Sequence, residues 1–225
     1  MPKQYLPLAG KPVIQHALDR LATFFALQRL IVVVARADRW IDEHVKLPHH
    51  ATVLRCGGGS RAETVRNALQ HLHGCTSSDW IVVHDAVRPC LIEADAIRLQ
   101  RGLADDPVGG FLAVPLSDAL KRVDGERRVV RSEARDGLWR AQTPQMFRYG
   151  VLQKALASPD AADFTDEAQA VERLGMTARA VLGSAGNVKI TFPDDMALAE
   201  AILAASASSL PASPPDDQAA GFRTA

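Results

Sequence analysis

The sequence predicts an α/β protein built on a doubly wound, mostly parallel sheet with a protruding β-hairpin arm. Two observations carry that expectation. Short β-branched runs alternate with longer stretches of helical periodicity, and one Asp-Gly pair divides a charged segment of strand character. At 225 residues, 47% hydrophobic and 23% charged, the chain suffices for one domain with a large core.

Val13, Ile14, Ala17, Leu18, Leu21 and Ala22 recur at helical spacing, and Leu30 to Ala35 form a run short and β-branched enough for a buried strand. A strand at 52–54, a helix over 61–71 and a strand at 80–85 continue the alternation. A helix over 93–103 then leads into a strand at 110–114. From 116 to about 136 the pattern changes. Asp124-Gly125 sits between Lys121-Arg122-Val123 and Val129-Val130, which reads as a projecting hairpin. Helices over 150–157 and 166–174, short strands at 178–182 and 187–191, and a helix over 194–204 complete the body. Residues 206–225, rich in Ala, Ser, Pro and Asp, read as a disordered tail.

Lys plus Arg balance Asp plus Glu at 26 each, so overall charge draws the chain toward neither nucleic acid nor an acidic membrane. Any anionic ligand must be held by local clusters. Cys56, Cys75 and Cys90 lie far apart with no C-x-x-C pair, which disfavours a disulfide framework or a zinc site. The first ten residues lack a secretory pattern and no run approaches ~18 apolar residues, so a cytoplasmic protein is expected.

Three places suggest chemistry. Gly57-Gly58-Gly59 follow a strand and lead into Ser60-Arg61-Ala62-Glu63, the S-x-x-E form of a capping box; free backbone N–H groups there suit a phosphate or base edge, or the turn is simply tight. Asp85 ends the most hydrophobic strand, where open α/β sheets place ligands and where a carboxylate can hold a hydroxyl or hydrated magnesium; capping the next turn is its plainer role. His84 faces the other way and reads as structural, while Arg88 suits a phosphate or a surface carboxylate. Lys189 alternates with Val188 and Ile190, the pattern of a solvated strand face, and Thr165-Asp166-Glu167-Ala168 is a good helix start with Thr165 as hydroxyl cap. Seven basic residues against four acidic ones over 121–140 read mainly as a solvated arm, with Arg135 beside the segment that returns to the body.

The order and spacing of Pro2-Lys3-Gln4-Tyr5, Gly58-Gly59-Ser60-Arg61, the HDAVRP run from His84, Pro115 with Asp118, the LWRAQTPQMF run from Leu138, Thr165-Asp166-Glu167-Ala168 and Asn187-Val188-Lys189-Ile190-Thr191 resemble the 2-C-methyl-D-erythritol 4-phosphate cytidylyltransferase family over residues 1–205. The resemblance implies a Rossmann-like fold of the nucleotidyltransferase type, a homodimer held by the arms, and Mg²⁺-dependent transfer of CMP from CTP in isoprenoid precursor synthesis. It implies that Lys3, Arg135 and Lys189 are catalytic, with Arg135 donated across the dimer. Gly58, Gly59, Arg61, Thr64, Asp85 and Ala86 would bind CTP, Asp85 meeting the metal through water. Arg88, Arg135, Thr165 and Lys189 would hold the sugar-alcohol phosphate.

Members of that family begin with a buried apolar strand and a glycine-rich loop, placed between the strands containing Val33 and Val83. This chain starts after them, so an N-terminally incomplete domain is expected. Ala119 also stands where the family often has threonine. The alternatives are a ribitol 5-phosphate cytidylyltransferase and a catalytically silent nucleotide- or sugar-phosphate-binding protein. A nicotinamide dehydrogenase is disfavoured, since no G-x-G-x-x-G follows a strand.

Overall fold

The computed structural model describes residues 1–158 and 164–208. A 3-10 turn at Lys3–Tyr5 precedes a small hairpin, β1 (Pro7–Leu8) and β2 (Lys11–Pro12), and helix α1 (Val13–Phe24). α1 buries the face its spacing predicts, and Ile14, Leu18 and Leu21 share a core with Leu30 and Val32 of β3 (Leu30–Val33). The short α2 (Trp40–His44) leads to β4 (Ala51–Leu54), which pairs parallel with β3. Then come α3 (Arg61–Leu69), β5 (Trp80–Val83), α4 (Glu93–Leu103) and β6 (Gly109–Pro115).

The arm is the hairpin β7 (Leu120–Val123) and β8 (Val129–Glu133). Its connection spans residues 124–128, and the left-handed residue is Arg127 at φ 63° rather than Gly125. Asp124 stabilises this longer turn by accepting from the N–H groups of Glu126 and Arg128, each at 2.9 Å. The chain returns through β9 (Trp139–Arg148) and closes with α5 (Tyr149–Leu156), α6 (Glu167–Arg173), β10 (Arg179–Leu182) and α7 (Asp194–Ser208).

One sheet runs β10-β6-β9-β5, and β3-β4 form a separate pair. β6 is parallel to β10, and β9 is antiparallel to both β5 and β6, so β9 alone is reversed among the four. The sheet is therefore mixed, and β9 is an element the sequence reading lacked. Gln142 through Phe147 are all buried, which erases the period-two signal, and Pro144 sits among them.

Two other expectations need correction. Residues 187–191 form no strand: Val188 N–H turns back to the Gly186 carbonyl, Ile190 N–H donates to the Val87 carbonyl at 2.9 Å, and Thr191 N–H donates to Asp195 Oδ2 at 2.7 Å. Residues 206–208, assigned to the tail, belong to α7; the rest of that expected tail, 209–225, lies outside the described residues.

Among the described residues, β5 pairs only with β9 and β3 only with β4. Between β3 and β5 lies a cavity of about 1050 Å³. Its walls include Ile31 and Val33 of β3, Ile81 and Val83 of β5, Leu18 of α1 and Val65 of α3. No residue of β5 is fully buried, although β5 is among the most apolar runs in the chain.

Candidate active site at the carboxyl end of β5

Where β5 ends, the chain presents His84, Asp85 and Ala86 beyond the edge of the sheet, and three cations meet the Asp85 carboxylate. Arg61 Nε, at the start of α3, lies 2.9 Å from Oδ1; Lys189 Nζ lies 3.0 Å from Oδ2 and Arg88 Nε 3.6 Å from it. Burial disfavours the ionised acid, but Arg61 and Lys189 outweigh it and bring the Asp85 carboxyl down to about 2. On the far side of Arg61, both Glu167 oxygens accept from Nη1, at 2.6 and 2.7 Å. Burial works against the Arg61 charge too, yet Glu167 and Asp85 raise its pKa and hold it protonated. Burial pushes the Glu167 carboxyl up, with Arg61 pulling it back.

A chain of hydrogen bonds fixes the backbone beneath this cluster. Asp85 N–H donates to Thr143 Oγ1 at 3.0 Å, Thr143 Oγ1 meets His84 Nδ1 at 3.0 Å, and His84 Nε2 meets the Arg88 carbonyl at 3.0 Å. A carbonyl only accepts, so Nε2 carries the proton and Thr143 donates to Nδ1. Burial lowers His84 to about 4, which keeps it neutral at physiological pH. Asn187 Nδ2 donates to the Thr143 carbonyl at 2.8 Å, and Arg88 Nη1 to the Asn187 carbonyl at 2.7 Å. This ties the 187–191 segment, and with it Lys189, to β5 and β9.

The structure gathers some of the sequence-predicted residues and separates others. Lys3, Arg61, Thr64, Asp85, Ala86 and Lys189 all line the cavity beside β5, where Lys3 Nζ donates to the Ile190 carbonyl at 2.9 Å. Gly58 and Gly59 line a second hollow of about 450 Å³, with Arg36 and Asn67.

The glycine N–H groups are not free, contrary to expectation. Gly58 donates to Thr64 Oγ1 at 3.0 Å and Gly59 to Glu63 Oε2 at 2.7 Å. The capping box is half made: Ser60 Oγ accepts from Glu63 N–H, but the Glu63 carboxylate folds back over Gly58, where an added Cβ would lie 2.4 Å from Glu63 Cγ. Glycine is needed there because that space is taken.

Arg88 is interior rather than a surface pairing partner. Thr165 is exposed, with its N–H and hydroxyl both on Gln169 Oε1, and the N-cap of α6 is Asp166, which accepts from Gln169 N–H. Arg135 remains at the base of the arm, donating to the Ser117 carbonyl.

A family profile described as 2-C-methyl-D-erythritol 4-phosphate cytidylyltransferase matches residues 1–205. The chain belongs to that family. Proteins of this name from Dechloromonas aromatica and Laribacter hongkongensis are 48% and 49% identical over 207 residues, which cover 91% and 90% of this chain and 90% and 88% of theirs. Among solved structures, a 4-diphosphocytidyl-2C-methyl-D-erythritol synthase superimposes with a TM-score of 0.83 at 38% identity, covering 89% of this chain and 94% of that one. The Francisella tularensis 2-C-methyl-D-erythritol 4-phosphate cytidylyltransferase does so with a TM-score of 0.80 at 33% identity, covering 90% and 93%.

Among the described residues no three His, Cys, Asp or Glu side chains group to hold an ion. Asp85 is the acidic side chain lining the cavity mouth beside Arg61, and it already meets three cations. That donor set is too poor for an all-protein cage, but it fits Mg²⁺ carried mainly by nucleotide phosphates and water with a single carboxylate beside it.

The functional-site residues that sequence reasoning missed are the buried polar ones, Thr143, Gln145 and Glu167. Gln145, 1% exposed, accepts from Ala168 N–H and donates to Asp166 Oδ2, each at 3.1 Å, which docks α6 on β9.

Proposed function

We propose that this chain transfers CMP from CTP to 2-C-methyl-D-erythritol 4-phosphate and releases pyrophosphate. The observation that carries the reading is the meeting of Lys3, Arg61, Asp85 and Lys189 at one cavity beyond the carboxyl end of β5, the position where open α/β sheets bind ligands. A phosphate oxygen of the acceptor attacks the α-phosphorus of CTP, the bond from that phosphorus to the bridging oxygen breaks, and pyrophosphate departs.

Both reactants are anionic, and two unit charges ~4 Å apart at an effective dielectric near 20 interact by roughly 4 kcal/mol, so cations must offset that repulsion. Lys3 stabilises charge on the α-phosphate, and Lys189 exchanges its Asp85 contact for the acceptor phosphate. Arg88 and Thr165 lie toward the polyol, while Gly58, Gly59, Arg61, Thr64 and Ala86 serve the nucleotide. Positioning and electrostatics supply most of the catalysis in phosphoryl transfer. Asp85 would hold Mg²⁺ through water, and the ion would supply charge neutralisation on the nucleotide phosphates.

The protein acts as a homodimer in the cytoplasm, and the arm supplies Arg135 to its partner. Supporting this, the arm and the strand after it expose Val129 at 63%, Val130 at 60% and Trp139 at 45%. No described helix is long and apolar enough to cross a membrane.

We further propose that the cavity between β3 and β5 takes one more apolar strand, completing a domain over residues 1–205. Pyrophosphate release from CTP and methylerythritol phosphate with Mg²⁺, measured for this chain and for one extended upstream by a family strand and glycine-rich loop, tests both ideas. Turnover confined to the extended protein supports them. Turnover in neither favours a silent binding protein, and preference for ribitol 5-phosphate would reassign the acceptor.

A further inference from the structure

We infer that Glu167 is a positioning residue that fixes the Asp85 carboxylate at the cavity mouth by clamping Arg61 between them. The inference rests on the reading of Asp85 as part of the nucleotide and metal site.

Glu167 is 0% exposed and spends both oxygens on one nitrogen, Arg61 Nη1. A buried pair serving only to join α3 and α6 would favour the bidentate match, in which two guanidinium nitrogens meet two carboxylate oxygens. Here the fork is divided instead: Nη1 goes to Glu167, Nε goes to Asp85 Oδ1 at 2.9 Å, and the buried Nη2 has no hydrogen-bond partner. The division leaves Arg61 little freedom to rotate, since any swing loses a contact on one side.

Glu167 is itself held rigidly. The next residue, Ala168, donates to the buried Gln145, and Ala168, Ala170 and Val171 pack with Phe147, Leu152 and Leu156. Rigidity therefore passes from the core of α5, α6 and β9 through Glu167 and Arg61 to Oδ1. The Oδ2 side is different: its one hydrogen-bond-range partner is Lys189 at 3.0 Å, whose side chain is 44% exposed, while the buried Arg88 Nε stands off at 3.6 Å. Asp85 thus has one oxygen locked to the protein and one offered to the cavity, which suits a carboxylate that must hold its orientation while a ligand displaces Lys189.

The test compares the wild-type chain with Glu167→Gln and Glu167→Asp by thermal melting, by NMR of the Arg61 Nε–H and Asp85 Cγ signals, and by steady-state CMP transfer. Expected for folded Glu167→Gln are loss of Arg61 Nε–H exchange protection, a displaced Asp85 Cγ signal, and kcat reduced on the order of a hundredfold with a much smaller change in KM for CTP. Glu167→Asp, which keeps the charge one methylene shorter, should restore part of each.

Wild-type NMR signals in folded Glu167→Gln, or a lowered melting temperature with unchanged kcat per folded molecule, would overturn the inference and leave Glu167 a strut. If Glu167→Gln does not fold, the same criteria are applied to Glu167→Asp. If the present chain gives no turnover, kcat is read in the upstream-extended chain carrying the same substitutions; if neither form turns over, it is the functional reading that fails, and the NMR signals alone decide whether Glu167 orients Asp85.

Discussion

The two edges of β5 differ sharply. Along one it pairs with β9 over four residues, and beyond its carboxyl end the Asp85–Thr143–His84 chain and the Asn187 amide extend that junction into a polar lattice. Along the other it faces an apolar cavity, and beyond it β3 pairs only with β4. The charged groups of the candidate site gather at the carboxyl end of β5, at one end of the cavity, while the walls along the unsatisfied edge are mainly hydrophobic. Orientation of the site is therefore secured by long-range hydrogen bonds, and continuity of the sheet by apolar burial.

The sharpest way to break that contrast is to fill the cavity. An upstream apolar strand that buries large side chains against these walls and pairs with β3 and β5 should raise the melting temperature, by about 2–4 °C for each kcal/mol of net stabilisation in a domain of this size. Calorimetry of the extended and present chains measures it; equal melting temperatures would mean that the cavity does not accept the strand. On the satisfied edge, Lys189→Ala in the active form should lower CMP transfer by on the order of a hundredfold while moving the melting temperature little, because Lys189 is half-exposed. Wild-type turnover in that variant would remove Lys189 from the site.

The same contrast sets what could be read from sequence. α1, β3, β4 and α4 follow from periodicity because each has one apolar face or a purely apolar run, and Asp85 stands out as a charge ending such a run. β9 escaped notice because burial on both faces removes alternation, and the residues that replace it are polar. At 187–191 alternation is present without a strand; the segment is fixed by Asn187 and Lys189 side chains rather than by a ladder. From sequence Glu167 reads only as part of a helix start, because its true partner, Arg61, lies 106 positions earlier. Local patterns expose faces and caps; pairings across the fold leave no spacing to find.

Two smaller effects separate the polar lattice from the apolar wall. Gln145→Ala would leave the buried Ala168 N–H without its acceptor and a void between β9 and α6, for a cost of about 3 kcal/mol, and denaturant unfolding measures it. A loss below about 0.5 kcal/mol would mean that α6 is held by its apolar contacts alone.

The pH response of His84 is gentler. Its folded value, about 4, lies below the ordinary 6.5, so between those values the unfolded chain binds the extra proton. Stability from keeping this ring neutral is fully present above about pH 6.5 and is lost as the pH falls toward 4, by at most about 1.4 kcal/mol per pH unit. His84→Gln should flatten that slope, read from unfolding midpoints between pH 7 and 5. The apolar walls of the cavity do not titrate, so a slope unchanged by this substitution would place the acid sensitivity outside the Thr143–His84–Arg88 chain.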